Sequence, residues 1–310
     1  MVMQLNQNES WRNPSRVPVE PGTLIAGQYQ LKQELGRGTM GVAYRAKDLQ
    51  AGRTVCVKLL PQDRPIQEVE VQRMRTTFRL THRVQHQYLC PHIQFGVDEQ
   101  AGPFLVMKYV GGWSLAKLCE PTPGQRKVFA PGDALRILAP VAEGLDELHS
   151  RGLVHRDIKP ANIVVGRRSR DVQIVDFGLV EKYSVCDALS AEQSPSKEIC
   201  GSGAYLAPEI WDGAAATPES DQYALATVAY EMLSGHRPFE ACQSRDELKQ
   251  LAQRKAAPRI ARLSATMNDV LDRGLAKEPH DRFPSCRAFL KALRTAIQES
   301  QLSGCLPLLN

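Results

Sequence analysis

From Tyr29 the chain alternates short apolar stretches with glycine-bearing turns. Tyr29 to Leu35, Val42 to Ala46 and Thr54 to Leu60 each read as a strand, separated by Gly36 to Gly41 and by Gln50-Ala51-Gly52. Strands joined by such short turns pair as an antiparallel meander. Val71, Met74 and Phe78 then fall at helical spacing, predicting a helix over 67–84. Runs around Ile93 to Val97 and Phe104 to Tyr109 return to strand character, joined by Asp98 to Pro103. Beyond Gly111-Gly112 the period becomes helical. Ala134, Leu138, Val141, Leu145 and Leu148 line one face of a helix that Asp133 is placed to cap, with Pro140 expected to kink it or remove one hydrogen bond. Asp221 to Leu233 is apolar nearly all round and predicts a buried central helix. Further helical patterns cover Arg245 to Lys255, Ala265 to Leu275 and Arg287 to Glu299. Strands first and helices afterwards predict an α+β chain in two lobes: a small antiparallel β lobe with one helix (29–108) and a larger, mainly helical lobe (111–298). Residues 1–28 and 299–310 are expected to be tails, the first polar and flexible. No internal repeat is visible.

With 310 residues, 43% hydrophobic and 24% charged, the chain can bury a sizeable core. The net charge of +5 is mild, and no dense Lys/Arg block supports nucleic-acid binding; Arg167, Arg168 and Arg170 read as a solvated loop. No signal peptide is read at the polar start, and no stretch reaches the about 18 apolar residues of a membrane span. The eight cysteines form no CxxC pair and suit neither a zinc site nor a disulfide framework. Reduced thiols in a cytoplasmic protein are therefore expected, Cys186 and Cys200 being the candidates for redox sensitivity.

Gly36-Arg37-Gly38-Thr39-Met40-Gly41 lies between two predicted strands. Its glycines let backbone approach phosphate oxygens. A position between two strands argues against a dinucleotide fold, where a helix would follow. Lys58, among apolar neighbours in Val55-Cys56-Val57-Lys58, needs an anion, either a nucleotide phosphate or a structural carboxylate. The strongest block is His155-Arg156-Asp157-Ile158-Lys159-Pro160-Ala161-Asn162, followed by Asp176-Phe177-Gly178 and Ala207-Pro208-Glu209. Asn162 and Asp176 are oxygen donors suited to magnesium, a hard cation. Asp157 can accept a hydroxyl proton, and Lys159 can neutralise charge on a transferred phosphoryl group.

In this order the motifs resemble the eukaryotic-like serine/threonine protein kinases found also in bacteria, over roughly Tyr29 to Ala296. The resemblance implies ATP and Mg2+ as cofactors and protein substrates with Ser/Thr acceptors. It makes Asp157 the catalytic base, Asn162 and Asp176 the metal ligands, and Lys58 the α/β-phosphate lysine. Nucleotide contacts are expected from Leu35, Gly36, Arg37, Gly38, Thr39, Met40, Gly41, Val42, Ala43, Cys56, Met107, Tyr109 and Val164 as well as Lys58, Asn162 and Asp176. Met107 resembles the residue guarding the back of the adenine pocket, with Lys108, Tyr109 and Val110 as hinge and Val175 beside Val164 on the floor. Arg282 is expected to pair with Glu209, and Asp221 to hold the catalytic-loop backbone. Lys159 and Gly201-Ser202 resemble the serine/threonine class. Family members often pair the arginine at Arg156 with a phosphorylated loop. Here the loop from Leu179 to Leu206 has 28 residues, no Thr, and Ser184, Ser190, Ser194, Ser196 and Ser202, of which Ser194 or Ser196 is the expected phosphosite. Bacterial members often dimerise through the small lobe, so the resemblance adds a homodimer to the partners open to this chain.

Four positions depart from the family pattern. Ala43 stands where a valine covers adenine, Cys56 where alanine is usual, and Lys108 where a hinge glutamate is common. The glutamate that pairs the strand lysine aligns with Thr77, while Glu68 and Glu70 lie about two turns earlier. These departures keep an alternative in view: a pseudokinase acting as a nucleotide- or protein-binding module. A small-molecule kinase on a related fold is disfavoured by Lys159, Ala207-Pro208-Glu209 and the serine-bearing loop.

Overall fold

The computed structural model describes residues 19–38, 40–166, 171–182 and 203–302. The chain forms two compact units, one running to Gln85 and including Cys90–Val110, the other made of His86–Leu89 and everything from Gly111 onward.

The first unit is built on a six-stranded sheet: β1 (Leu24–Ile25), β2 (Tyr29–Gly38), β3 (Gly41–Asp48), β4 (Thr54–Leu59), β5 (His92–Asp98) and β6 (Gly102–Lys108), in the order β1-β2-β3-β4-β6-β5. All neighbours are antiparallel. Residues opposite one another across such pairs share a face. One face carries Val42, Tyr44, Ala46, Val55, Val57, Leu59, Phe104 and Val106, which with Ile25, Tyr29 and Leu31 make the core. Leu24 and Ile25 fall in the stretch expected to be tail. They form a strand because Ile25 is fully buried in that core and both residues pair with β2. The glycine segment is the tip of the β2–β3 hairpin, with Gly38 opposite Gly41. Gly41 has φ +118°, and a Cβ there would lie 1.9 Å from the Leu59 carbonyl oxygen, so only glycine fits. Helix α1 (Glu68–Thr81) starts where the Glu70 carboxylate accepts the Gln67 backbone N–H at 2.9 Å, and it ends one turn before the expected 84.

The second unit holds β7 (Trp113–Ser114), α2 (Leu115–Cys119), α3 (Pro131–Ser150), β8 (Leu153–Val154), β9 (Ile163–Val165), β10 (Val172–Ile174), β11 (Glu181–Lys182), α4 (Pro208–Trp211), α5 (Pro218–Ser234), α6 (Arg245–Arg254), α7 (Ala265–Gly274) and α8 (Cys286–Leu302). Helix α3 begins at Pro131 rather than at Asp133. Proline needs no amide partner in a first turn, and Asp133 then lies within that turn, where its charge suits the helix dipole. The helix runs on through Pro140. Helix α5 is buried almost throughout, as its all-round apolarity predicts, and stops at Gly235 in the left-handed conformation. The Asp146 carboxylate of α3 accepts the Cys286 and Arg287 amides at 2.9 and 3.1 Å, capping α8 from another helix. Among the described residues no helix is long and apolar enough to cross a membrane.

Candidate active site

In the first unit, cross-strand register assembles part of the expected nucleotide set. Ala43 lies opposite Lys58, and Cys56 opposite Met107, all on the sheet face turned away from the core. Gly36 is opposite Ala43, and added Cβ atoms at Gly36 or Gly38 would meet nothing within 4 Å, so backbone there is open to approach. Val42 departs from expectation. The period of two sends it into the core, where it is 1% exposed, and its side chain is not among those beside Ala43. Leu35 is exposed at a register shift, Arg37 pairs with Glu34 at 2.8 Å, Met40 and Tyr109 are half-buried, and Thr39 lies outside the described residues.

Thr77 is buried in α1 at 1% exposure, and its Oγ1 has no hydrogen-bond partner. Glu70 is committed to other partners. It makes two hydrogen bonds to Arg64 at 2.9 and 2.6 Å as well as capping α1. Burial alone would raise its pKa, but Arg64 and the Gln67 amide outweigh this and hold it below the ordinary glutamate range.

The second unit concentrates the chemistry. Asp221, buried at the start of α5, accepts the amides of His155 and Arg156 at 2.7 and 2.8 Å and sits 2.9 Å from His149 Nε2. Burial works against its charge, yet these contacts keep its pKa below the usual value. The Asp221 grip lets Arg156 hold φ +71°, a left-handed conformation that costs a non-glycine residue of order 1–3 kcal/mol. Burial also pushes the His155 pKa down, so the imidazole is neutral and its Nδ1 can accept the Asp157 amide at 3.3 Å. The His155 ring lies 5.2 Å from that of Phe177.

Asp157 is thereby held with its carboxylate facing two donors. Lys159 Nζ donates to Oδ1 and Oδ2 at 2.9 and 2.7 Å, and Asn162 Nδ2 donates to Oδ2 at 2.9 Å and to the Asp157 carbonyl at 2.8 Å. Both Asn162 amide contacts use nitrogen, leaving Oδ1 as its acceptor. The Val175 amide donates to the Asn162 carbonyl at 2.9 Å, which brings Asp176 alongside at the end of the β9–β10 pair. Asp176 has φ +61°, and its Oδ1 accepts the Gly178 amide at 3.2 Å. Asn162 and Asp176 are an all-oxygen donor pair without His or Cys, and so they fit Mg2+. Val164 is half-buried on β9.

Glu181 is a contact that the motifs did not disclose. Its carboxylate pairs with the Arg156 guanidinium, and β11, on which it sits, pairs with β8, the strand just before His155. Arg156 was expected to meet a phosphorylated serine. Ser184, Ser190, Ser194, Ser196, Ser202, Cys186 and Cys200 lie outside the described residues.

Arg282 and Glu209 form the expected pair through two hydrogen bonds of 2.8 and 2.7 Å. Nearby, Lys277 Nζ has no hydrogen-bond partner and lies 5.3 Å from the Phe239 ring. Burial, with a lesser push from Arg282, brings its pKa down to about 8. Between pH 8 and the ordinary lysine value the unfolded chain holds a proton that the folded chain lacks, so stability rises with pH across that window. Below it, the folded state carries a poorly solvated charge. Lys277→Met should therefore raise the melting temperature at pH 7, with a gain that shrinks as pH approaches 10, which a pair of pH-resolved thermal melts would show.

Residues 29–293 match the model of the protein kinase domain. The chain belongs to the protein kinase family. Bacterial relatives include the serine/threonine-protein kinase pkn2 of Myxococcus xanthus, 32% identical over 296 residues, covering 93% of this chain and 34% of that protein. It is 30% identical to the serine/threonine-protein kinase PknL of Mycobacterium tuberculosis, covering 93% and 70% respectively. The chain thus spans about a third of the length of the Myxococcus relative. Among solved structures, a double mutant of the Mycobacterium tuberculosis PknI kinase domain aligns with TM-score 0.69 and 25% identity, over 90% of this chain and all of that one.

Proposed function

We propose that this chain is an active serine/threonine protein kinase that transfers the γ-phosphoryl group of magnesium-ATP to Ser/Thr hydroxyls of proteins, its own 179–206 loop included. The observation that carries this is the Asp157–Lys159–Asn162 cluster, in which one carboxylate is fixed by two side-chain donors on a backbone anchored by buried Asp221. The names of its Myxococcus and Mycobacterium relatives, both serine/threonine-protein kinases, agree with it.

On this reading Asp157 accepts the acceptor hydroxyl's hydrogen bond and then its proton, and Lys159 steadies negative charge on the transferred group. Asn162 and Asp176 would hold magnesium, which offsets charge on the phosphates when bound. The Gly36–Gly41 hairpin tip and Lys58 would orient the phosphates, with Ala43, Cys56 and Met107 against the base. Such a site works mainly by positioning and electrostatics, since phosphoryl transfer asks little covalent chemistry of the protein.

A second reading, a pseudokinase serving as a nucleotide- or protein-binding regulatory module, is favoured by Thr77, a buried threonine where the family has a carboxylate. One experiment separates the two. The purified chain is incubated with magnesium-ATP and a degenerate Ser/Thr peptide library, and products are mapped by mass spectrometry. Phosphoserine or phosphothreonine that disappears when magnesium is chelated is the expected result. Nucleotide binding without any phosphorylated product, in the chain or in the library, would favour the module.

A further inference from the structure

A cavity of about 320 Å³ opens beside the catalytic loop in the second unit. Lys159, Pro160 and Ala161 form one wall, Tyr205 and Glu231 another, and Glu120 and Arg126 a third. Lys159 also holds Asp157, so the cavity begins at the proposed acceptor position. At about 3.3 Å per extended residue, a bound substrate chain reaches it two to four residues from its acceptor hydroxyl.

Three carboxylates lie in or next to this space. Glu231 accepts the Tyr205 hydroxyl at 2.5 Å, and Glu120 accepts the Gly124 amide at 2.8 Å. Glu240 meets Arg126 at 2.6 Å and Arg237 at 3.1 Å. Arg126 Nε is 4.0 Å from Glu120, and Arg126 shares the cavity lining with Glu231. Arg126 therefore stands among all three carboxylates. It comes from the segment between α2 and α3, which is fixed by the Lys127 amide on the Cys119 carbonyl at 2.7 Å and the Gln125 amide on the Thr122 carbonyl at 2.9 Å. Of the two arginines that meet Glu240, only Arg126 lines the cavity.

We infer that Arg126 is a specificity-determining residue: its guanidinium occupies the place that a basic side chain of the substrate would take, so the cavity selects uncharged residues near the acceptor. A carboxylate-lined recess beside a catalytic aspartate attracts arginine or lysine. Here that attraction is satisfied from within the chain, and an incoming cation meets like charge at close range. Removing Arg126 takes the nearest guanidinium from Glu120 and leaves Glu240 to Arg237, with Lys127 and Lys159 still on the lining, and the preference should turn toward basic peptides. The inference rests on the kinase reading above.

The test uses the full chain, Arg126→Ala and Arg126→Lys, with peptides carrying one serine flanked by Arg, Ala or Glu at two to four residues' distance. Arg126 is a third exposed, so Arg126→Ala should fold, which a thermal melt verifies. For the parent, kcat/KM should favour Ala over Arg peptides. For Arg126→Ala the Arg peptides should gain about tenfold, through KM rather than kcat, and lose that gain at high salt. Arg126→Lys should behave like the parent. In parallel, fluorescence anisotropy with serine-to-alanine versions of the same peptides reads the cavity without phosphoryl transfer. No phosphorylation by any form, with Arg peptides still binding Arg126→Ala more tightly, would sink the kinase reading and keep the site. Unchanged Arg-versus-Ala discrimination in both assays would overturn the inference itself.

Discussion

Asp157→Asn should lower the rate of phosphoryl transfer by about 10²–10⁴-fold, the range over which a positioned general base contributes, while ATP still binds. The surroundings explain why so small a change matters. Both carboxylate oxygens of Asp157 accept hydrogen bonds from Lys159, and one also accepts from Asn162. An asparagine offers one acceptor oxygen and turns an NH2 group toward those donors, so it loses the base and at least one contact together. The expected outcome is a fall in kcat at unchanged nucleotide affinity, measured by peptide phosphorylation and by titration with a fluorescent nucleotide. Equal rates for both forms would remove Asp157 from the mechanism.

Arg282→Ala should cost about 3–5 kcal/mol of stability, the penalty for stripping one partner from a buried ion pair. Against a total of about 5–15 kcal/mol for an ordinary domain, that brings the second unit close to unfolding. The Arg282 side chain is fully buried and all five of its N–H groups are used. Two go to Glu209, and the others to the carbonyls of Glu219, Lys277 and Ala276 at 2.9, 3.0 and 2.9 Å. The guanidinium also stacks 5.0 Å from the Tyr223 ring centroid. Alanine leaves three carbonyls and one carboxylate without their donor. Lysine, with three donors at a single point, cannot reproduce the fork. Denaturant titration should place Arg282→Ala and Arg282→Lys both well below the parent. The double variant with Glu209→Ala should fall short of the sum of the singles, because the two residues share one interaction.

Much of this architecture is legible in the order of the residues. The apolar period separates strands from helices, α5 announces its burial by having no polar face, and the motif residues Asp157, Lys159, Asn162 and Asp176 arrive through local spacing. Contacts set by long chain separation are not legible. Asp146 caps a helix 140 residues away, and Arg126 reaches a glutamate 114 residues away, with nothing local to signal either. Glu181 reads as an ordinary exposed acid until β11 pairs with β8 and sets it against Arg156. Val42 shows a smaller loss of the same kind. The motif counts it with its glycine neighbours, but strand alternation assigns its side chain to the opposite face from Ala43.

The short strand β1 lies outside the stretch that matches the family, which starts at Tyr29. Ile25 nonetheless packs in the same core as Tyr29 and Leu31, and both β1 residues cover the outer edge of β2. The limits of recognisable kinship and the limits of the cooperative unit are therefore different residues. A chain trimmed to the first would keep every motif yet carry a hole in its hydrophobic interior and an open strand edge, the kind of surface on which chains add to one another.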